Sequence, residues 1–411
     1  LIEDELNVWY QDQIVGYLWR DHQGNMSFKY DDDWNGFPLS ISLPLNKIPD
    51  SLIAHRFFAN LLPEGSARDR LCIRFRCPDT DFDLLREIGS ECAGAISILP
   101  IEKSPDLNQS YKKLDDEVLT KIIETRGAAL NLEDKPRLSL AGAQDKITVH
   151  VKDDEIYFPV NQTPSTHILK FEVRDFKNVP LYEVYTTKLA RAIGLNTVDI
   201  ELNYLGDYSY TISKRYDRIT DDRITRIHQE DFCQALGLKE KYQRAETPNF
   251  AQCYQLIIEN SGNPLIDAEQ LIKWQIFNLI AGNSDAHIKN ISFLYGGYSP
   301  RLAPFYDLVC TRAIEHLDET LALAVGHQKN PNQITKKDLL ELAAQCNVRP
   351  RRIFDIVHQM LSDIEDNKDK VRDELESYHG GKPSVPDRGE KPSLQRVDKI
   401  IKQQIRLLKR I

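Results

Sequence analysis

What this chain lacks narrows its function first. None of its 411 residues fall in a run approaching the roughly 18 unbroken apolar residues that a membrane-crossing helix needs. The opening string Leu1-Ile-Glu-Asp-Glu-Leu carries no basic segment followed by an apolar core, so secretion is not expected. Paired cysteines are missing too. The seven present, Cys72, Cys77, Cys92, Cys233, Cys253, Cys310 and Cys346, are odd in number, scattered and without a Cys-x-x-Cys pair. They read as reduced thiols in a cytoplasmic protein, with no zinc site. Positive charge is also short. A net charge of −9 argues against the whole molecule being a nucleic-acid binder, because neutralising phosphates needs a concentrated positive surface. Neither G-x-G-x-x-G nor G-x-x-x-x-G-K-[ST] occurs, and no internal repeat is visible.

What is there is a globular composition, 41% hydrophobic and 28% charged, long enough for two or three packed units. Residues 1–102 form an α+β segment: Leu6-Asn-Val-Trp-Tyr, Ile14-Val-Gly-Tyr-Leu and Met26-Ser-Phe-Lys-Tyr are strand-like, and helices follow near Arg56–Leu62 and Phe82–Ile88. A polar stretch from Glu102 to Asp116 has the composition of a linker. Residues 103–220 are β-rich, with strands expected at Lys146–Val151, Ile156–Val160, His167–Phe171, Val198–Leu205 and Tyr208–Ile212 and a helix at Tyr182–Ile193. From 221 to 411 the apolar spacing turns helical, at Phe250–Asn260, Ala268–Ala281, Lys337–Gln345 and Arg352–Asp366, with a loop from His379 to Pro392. The basic C-terminal run from Lys399 to Arg410 reads as an amphipathic closing helix with a solvated charged face, DNA contact being the alternative. A β-rich lobe followed by a helical one is how kinases hold ATP, although a fold alone does not establish a function.

The chemistry-bearing residues gather after one helix. Its pattern stops at Gly282, a natural C-terminal cap, so Asp285, His287, Lys289 and Asn290 fall on the loop beyond it. Ile291-Ser-Phe-Leu-Tyr, the Gly296-Gly297 turn and Leu302-Ala-Pro-Phe-Tyr then read as a hairpin that returns Asp307 toward Asn290. Two carboxylates and an amide oxygen near one point suit Mg²⁺. The Asp285-to-Asn290 spacing also matches the D-x-x-x-x-N of a protein-kinase catalytic loop. Taken singly, Asp285 and Asn290 are better explained as turn formers and Asp307 as the end of a strand; the function reading comes from the set. His287 alone reads as a hydrogen-bonded structural histidine.

Three further segments have a phosphate-side reading beside a plain one. Ala141, Gly142, Ala143, Gln144, Asp145 and Lys146 make a small-residue turn into a strand, able to bring backbone N–H groups to an anion or to serve as an ordinary turn. Lys170, in the apolar run His167-Ile-Leu-Lys-Phe, either snorkels or meets an anion. Lys214, Arg215 and Tyr216 sit where one segment gives way to the next, a position that suits adenine or a charged turn equally.

Together several strings resemble the HipA family of toxin-antitoxin kinases. They are Val15-Gly-Tyr-Leu, Pro38-Leu-Ser-Ile-Ser-Leu-Pro-Leu, Phe58-Ala-Asn-Leu-Leu-Pro-Glu, Gly94-Ala, Ser139-Leu-Ala-Gly-Ala-Gln-Asp-Lys, Thr166-His-Ile-Leu-Lys, Arg215-Tyr-Asp-Arg, Gln229-Glu-Asp-Phe-Cys-Gln, Asp285-Ala-His-Ile-Lys-Asn and Pro304-Phe-Tyr-Asp. The resemblance implies a two-lobed, protein-kinase-like fold of the phosphatidylinositol-kinase-like branch with an added N-terminal subdomain. It implies Asp285 as catalytic base and Asn290 with Asp307 on Mg²⁺. By the same carry-over, Ala141 to Lys146 and Lys170 meet the ATP phosphates, Lys214 to Tyr216 border adenine, and His287, Lys289 and Tyr306 adjoin the nucleotide. Ser139 matches the serine that such kinases phosphorylate on themselves to shut off. The implied partners are a HipB-like, DNA-binding antitoxin, operator DNA reached through it, and a protein substrate such as glutamyl-tRNA synthetase, whose modification stalls growth and promotes persistence. No membrane partner is implied. Lys214 departs from the family's usual acidic residue, which leaves adenine hydrogen bonding to the backbone. Beyond Asp307 no string matches. The alternative reading is a non-catalytic nucleotide-binding co-repressor acting with the antitoxin on DNA.

Overall fold

Short strands open the chain because apolar side chains alternate with polar ones. In Met26–Tyr30 the residues Met26, Phe28 and Tyr30 are buried while Lys29 is exposed, the two-residue period of a sheet with one covered face. The computed structural model describes residues 4–125, 138–139, 146–172, 176–206, 208–244, 247–377 and 393–411. The chain divides into two units, Leu1–Phe171 with Lys214–Lys239 and Phe293–Gly296, and Glu172–Ser213 with Glu240–Ser292 and Gly297–Ile411. The units interleave along the chain, in contrast to the consecutive segments 1–102, 103–220 and 221–411.

In the first unit, Met26–Tyr30, Gln13–Arg20, Glu5–Tyr10 and Ile96–Pro100 lie side by side in that order as an antiparallel sheet. Helix Ser51–Ala59 begins where the Asp50 carboxylate accepts the N–H of Leu52 at 2.9 Å, and it sets Phe58 against Phe28 with ring centroids 5.3 Å apart. Helix Asp81–Ile88, capped by Thr80, buries Phe82, Leu84, Leu85 and Ile88 in the same core. The helix Gly65–Phe75 between them is not legible in the sequence, because only Cys72 of its residues is buried and no apolar period marks it.

A second sheet of this unit orders His167–Phe171, Lys146–Lys152, Glu155–Pro159 and Tyr111–Lys113, each antiparallel to its neighbour. Its edge strand corrects the linker reading of residues 102–116. Tyr111–Lys113 finds backbone partners in Tyr157–Pro159, which composition alone does not reveal. Glu91–Cys92 pairs parallel with Leu138–Ser139.

Helices dominate the second unit: Val179–Ala192, Phe250–Asn260, Pro264–Ala281, Lys336–Gln345, Pro350–Ser377 and Gln395–Leu408, beside the Ile200–Leu205 strand. Phe250–Asn260 starts in a capping box formed by Asn249 and Gln252. Pro264 at the first position and Gly282 beyond the last bound the helix from which the candidate loop departs. From Ile276 to Ala281 every residue of that helix is buried, so the base of the loop is rigid. In Gln395–Leu408, Val397, Ile401, Ile405 and Leu408 face inward while Lys399, Lys402 and Arg406 are exposed, as are Lys409 and Arg410 just beyond its end, as an amphipathic closing helix requires. The loop expected from His379 lies outside the described residues. Among those described, no helix is long and apolar enough to cross a membrane.

Candidate active site

The loop after Pro264–Ala281 is built to hold one exposed carboxylate on a buried base. Gly282 adopts φ +76°, a left-handed turn that a side chain would strain, and an added Cβ would meet Ile400 at 2.6 Å. The Asn283 amide then donates to Asn278 Oδ1 at 2.9 Å, and Asn283 Oδ1 accepts the Asp285 N–H at 3.1 Å. Ser284 is fastened from two sides. Its N–H donates to Thr311 Oγ1 and its carbonyl accepts the Ala322 N–H, both at 2.8 Å. Asn283, Ser284 and residues 286–290 are buried, whereas Asp285 is exposed, which is what a group reaching for a macromolecular substrate requires.

Beyond Asp285 the chain tightens into a 3₁₀ turn, Ile288–Asn290. The Asp285 carbonyl accepts the His287 N–H at 2.8 Å and the Asn290 side-chain amide at 3.3 Å. Asn290 Nδ2 is thereby engaged by the loop, so Oδ1 is the end of the amide suited to a cation. His287 stacks edge-on against Tyr242, ring centroids 5.3 Å apart.

The return arm of the hairpin lies beside this turn. The Ala303 N–H donates to the Ser292 carbonyl at 2.9 Å, and the Tyr306 hydroxyl donates to the Lys289 carbonyl at 2.6 Å and pairs with Ser292 Oγ at 2.8 Å. Tyr306 therefore ties the residue before Asn290 to the residue before Asp307. Phe305 is pinned on its other side by the Asn196 carbonyl, 2.7 Å from its N–H, and by the Val198 N–H, 3.0 Å from its carbonyl. Asp307 itself sits at φ +59°, a conformation uncommon for a residue with a Cβ and typical of sites where a carboxylate must be aimed. The structure thus places Asp285, His287, Lys289 and Asn290 on one loop and, through the Tyr306–Lys289 hydrogen bond, ties that loop to the segment that carries Asp307. No cluster of three or more His, Cys, Asp or Glu residues capable of holding a metal occurs among the described residues. A pair made of one carboxylate and one amide oxygen still fits Mg²⁺, which completes its shell with phosphate and water.

The other predicted residues belong to the first unit. Lys170 and Lys146 are direct cross-strand partners in the His167–Phe171 and Lys146–Lys152 pair, so both side chains project from one face. Ser139 ends the two-residue strand paired with Glu91–Cys92. Ala141, Gly142, Ala143, Gln144 and Asp145 lie outside the described residues.

Lys214 is exposed and Tyr216 donates its hydroxyl to Gln229, but Arg215 is deeply buried for a different reason. Its guanidinium grips Asp217 through Nε at 3.0 Å and Nη2 at 2.9 Å, and reaches Ser165 Oγ at 3.0 Å. Arg218 adds Nη1 to Asp217 Oδ2 at 2.8 Å, and the Gly94 N–H donates to the same oxygen at 2.9 Å. Burial by itself would raise the Asp217 pKa, yet the Arg215 and Arg218 charges outweigh it and hold the carboxyl below the ordinary carboxylate range. The same competition holds Glu91 down, through Arg215, Arg226 and Arg218. Desolvation, together with the neighbouring Arg215 charge, pushes Arg218 down to about 10. The Arg215 side chain is thus a strut of the fold, and any adenine contact at this segment falls to its backbone.

Sequence reading passed over Tyr242, whose hydroxyl donates to Asp285 Oδ1 at 2.8 Å. It stands alone in the polar string Lys239-Glu-Lys-Tyr-Gln, where no period or motif marks it. Thr311 and Glu91 were missed likewise, since their roles arise from partners distant in sequence.

A carboxylate and an amide presented on one rigid loop, with a second carboxylate on the segment tied to it, in an α+β chain, suit a protein of the kinase-like class. Comparison with known proteins agrees. The HipA N-terminal domain matches residues 6–99 and the HipA-like C-terminal domain residues 138–368. "Putative kinase Y4mE" of Sinorhizobium fredii is 38% identical over 342 residues, covering 78% of this chain and 80% of that protein. "Serine/threonine-protein kinase toxin HipA" of Shewanella oneidensis is 32% identical over 344 residues, 79% of each. The structure of HipA from Shewanella oneidensis, solved with HipB and its operator DNA, superposes with a TM-score of 0.84 at 27% identity, over 98% of this chain and 97% of that one. The chain belongs to the HipA family of toxin-type serine/threonine kinases.

Proposed function

We propose that this chain is an ATP- and Mg²⁺-dependent serine/threonine protein kinase, the toxin of a toxin-antitoxin pair. The observation that carries the reading is the exposed Asp285 carboxylate on a buried loop, fastened through Lys289 and Tyr306 to the arm that bears Asp307. Asp285 accepts the proton of a substrate serine or threonine hydroxyl as that oxygen bonds to the γ-phosphorus and the bond to the ADP oxygen breaks. Asn290 Oδ1 and the Asp307 carboxylate are the ligands for Mg²⁺, which supplies positive charge to the phosphates when bound. Lys146 and Lys170, opposite each other on one sheet face, supply cations for the nucleotide's phosphates. Lys214 to Tyr216 border adenine through their backbone, and His287 adjoins the nucleotide.

Ser139 is the self-phosphorylation site in this reading. A phosphate there adds roughly −1.5 to −2 charge, close in sequence to Ala141–Lys146, and repels the nucleotide's phosphates. The substrate is an aminoacyl-tRNA synthetase, the glutamyl enzyme first, so that modification halts growth and promotes persistence. A HipB-like antitoxin is the partner, as in the solved Shewanella oneidensis complex, and it carries the chain to operator DNA. An acidic chain needs that partner to supply the DNA-facing charge.

Incubation with ATP, Mg²⁺ and glutamyl-tRNA synthetase, followed by mass-spectrometric mapping, tests this. Phosphate is expected on the synthetase and on Ser139, and Ser139→Ala is expected to retain transfer to the synthetase for longer. Tight ATP binding with no transfer to any protein would instead favour a nucleotide-binding co-repressor.

A further inference from the structure

Resting on that reading, we infer that Tyr242 is a positioning residue for the reaction, one that holds Oδ1 of Asp285 and so helps set the orientation in which the carboxylate meets the substrate hydroxyl. A general base works only while its acceptor oxygen stays within hydrogen-bond reach of the proton it takes. Asp285 is exposed at the tip of a loop whose other residues, 283, 284 and 286–290, are buried. The Tyr242 hydroxyl, donating to Oδ1 at 2.8 Å, holds that oxygen in place.

Tyr242 can do this because its own segment is strapped down. The Lys241 carbonyl accepts the Ile288 N–H at 3.4 Å, within the loop that carries Asp285. The Lys241 ammonium lies 5.3 Å from the Tyr242 ring centroid, and the ring meets His287 at an interplanar angle of 79°. Gln243 is held at three points. Its N–H donates to the Ala322 carbonyl at 3.0 Å, its Oε1 accepts the Ala324 N–H at 2.8 Å, and its carbonyl accepts the Lys329 ammonium at 2.9 Å. The Ala322 N–H in turn holds the Ser284 carbonyl, the residue before Asp285. Base and strap therefore share one anchor, and a tyrosine on that strap keeps a fixed distance to the carboxylate.

A hydrogen bond to the carboxylate also lowers its proton affinity, which opposes catalysis. Tyr242→Phe separates the two effects, since it removes the hydroxyl and keeps the ring against His287. If positioning dominates, kcat for phosphoryl transfer to the synthetase falls about tenfold to a hundredfold, the range for a lost hydrogen bond to a charged group. KM for ATP, ATP affinity by calorimetry and the melting temperature stay at native values. In the Asp285→Ala background, Tyr242→Phe adds nothing further, because the tyrosine acts through that carboxylate. A kcat that is unchanged or raised in Tyr242→Phe overturns the inference, and so does a loss that persists in the Asp285→Ala background or that accompanies lost ATP binding. Equal transfer by native and Asp285→Ala protein would bring down the kinase reading and this inference together. An inactive Asp285→Ala beside a fully active Tyr242→Phe removes the inference alone.

Discussion

Replacing Asp217 by asparagine should unfold the first unit more readily than almost any other single isosteric change. The Asp217 carboxylate accepts from Arg215 Nε and Nη2 and from the Gly94 N–H, and forms an ion pair with Arg218 Nη1, all between 2.8 and 3.0 Å. Asp217, Arg215 and Arg218 are each 5% exposed or less, so water cannot take over the lost contacts. Asparagine keeps the volume, so no cavity term enters. What disappears is the negative charge, and the new amide turns donors toward donors. Glu91 is then left to balance Arg215, Arg218 and Arg226. Breaking a buried pair in this way costs about 3–5 kcal/mol, a large part of the roughly 5–15 kcal/mol that holds a domain folded. Urea denaturation at pH 7, followed by tryptophan fluorescence, measures it. Because Asp217 and Glu91 are held below the ordinary range, the stability they contribute is present above about pH 4 and is lost as pH falls through their folded values. The variant should therefore lose less than native protein on acidification. A loss under about 1 kcal/mol at pH 7 would refute the view of this network as a strut.

Two other consequences are independent of that network. Gly282→Ala places a Cβ at positive φ and 2.6 Å from Ile400, so about 2–4 kcal/mol of stability should be lost, together with transfer activity as the Asp285 loop shifts; a circular-dichroism melt and a transfer assay report both. Burial pushes Glu230 up to about 7 against the Ser40 and Tyr295 hydroxyls and the Ile41 N–H. Its contribution is present below about pH 4.5 and lost as pH rises toward 7, by up to about 3 kcal/mol, so Glu230→Gln should flatten the urea-measured stability over that window.

The regular elements were legible where pattern is local. Phe250–Asn260 and the Lys146 strand follow from their own period, and Gly282 from the need for a left-handed cap. Spacing and the hairpin proposed Asp285, Asn290 and Asp307 as a set, and the structure shows the Tyr306 hydroxyl, next to Asp307, bonded to the Lys289 carbonyl, next to Asn290. The polar helix Gly65–Phe75 and the edge strand Tyr111–Lys113 were not legible, since the first buries little and the second depends on partners in Tyr157–Pro159, far along the chain. Arg215 shows the other limit. Its sequence position allowed a nucleotide contact or a charged turn, and only the fold reveals Glu91 and Ser165 waiting for its guanidinium. Tyr242 became visible for the same reason, through a partner 43 residues away.

The central claim is that Asp285, Asn290 and Asp307 act together on a phosphoryl group. Its most direct measurement is single-turnover transfer of the γ-phosphate of ATP to glutamyl-tRNA synthetase across a Mg²⁺ titration, for native protein, Asp285→Ala, Asn290→Ala and Asp307→Asn. The account predicts transfer that vanishes when Mg²⁺ is chelated, falls about 10²-fold or more in Asp285→Ala at every Mg²⁺ concentration, and needs higher Mg²⁺ in the other two variants. Native rates in Asp285→Ala, or an unchanged Mg²⁺ requirement in both Asn290→Ala and Asp307→Asn, would contradict it.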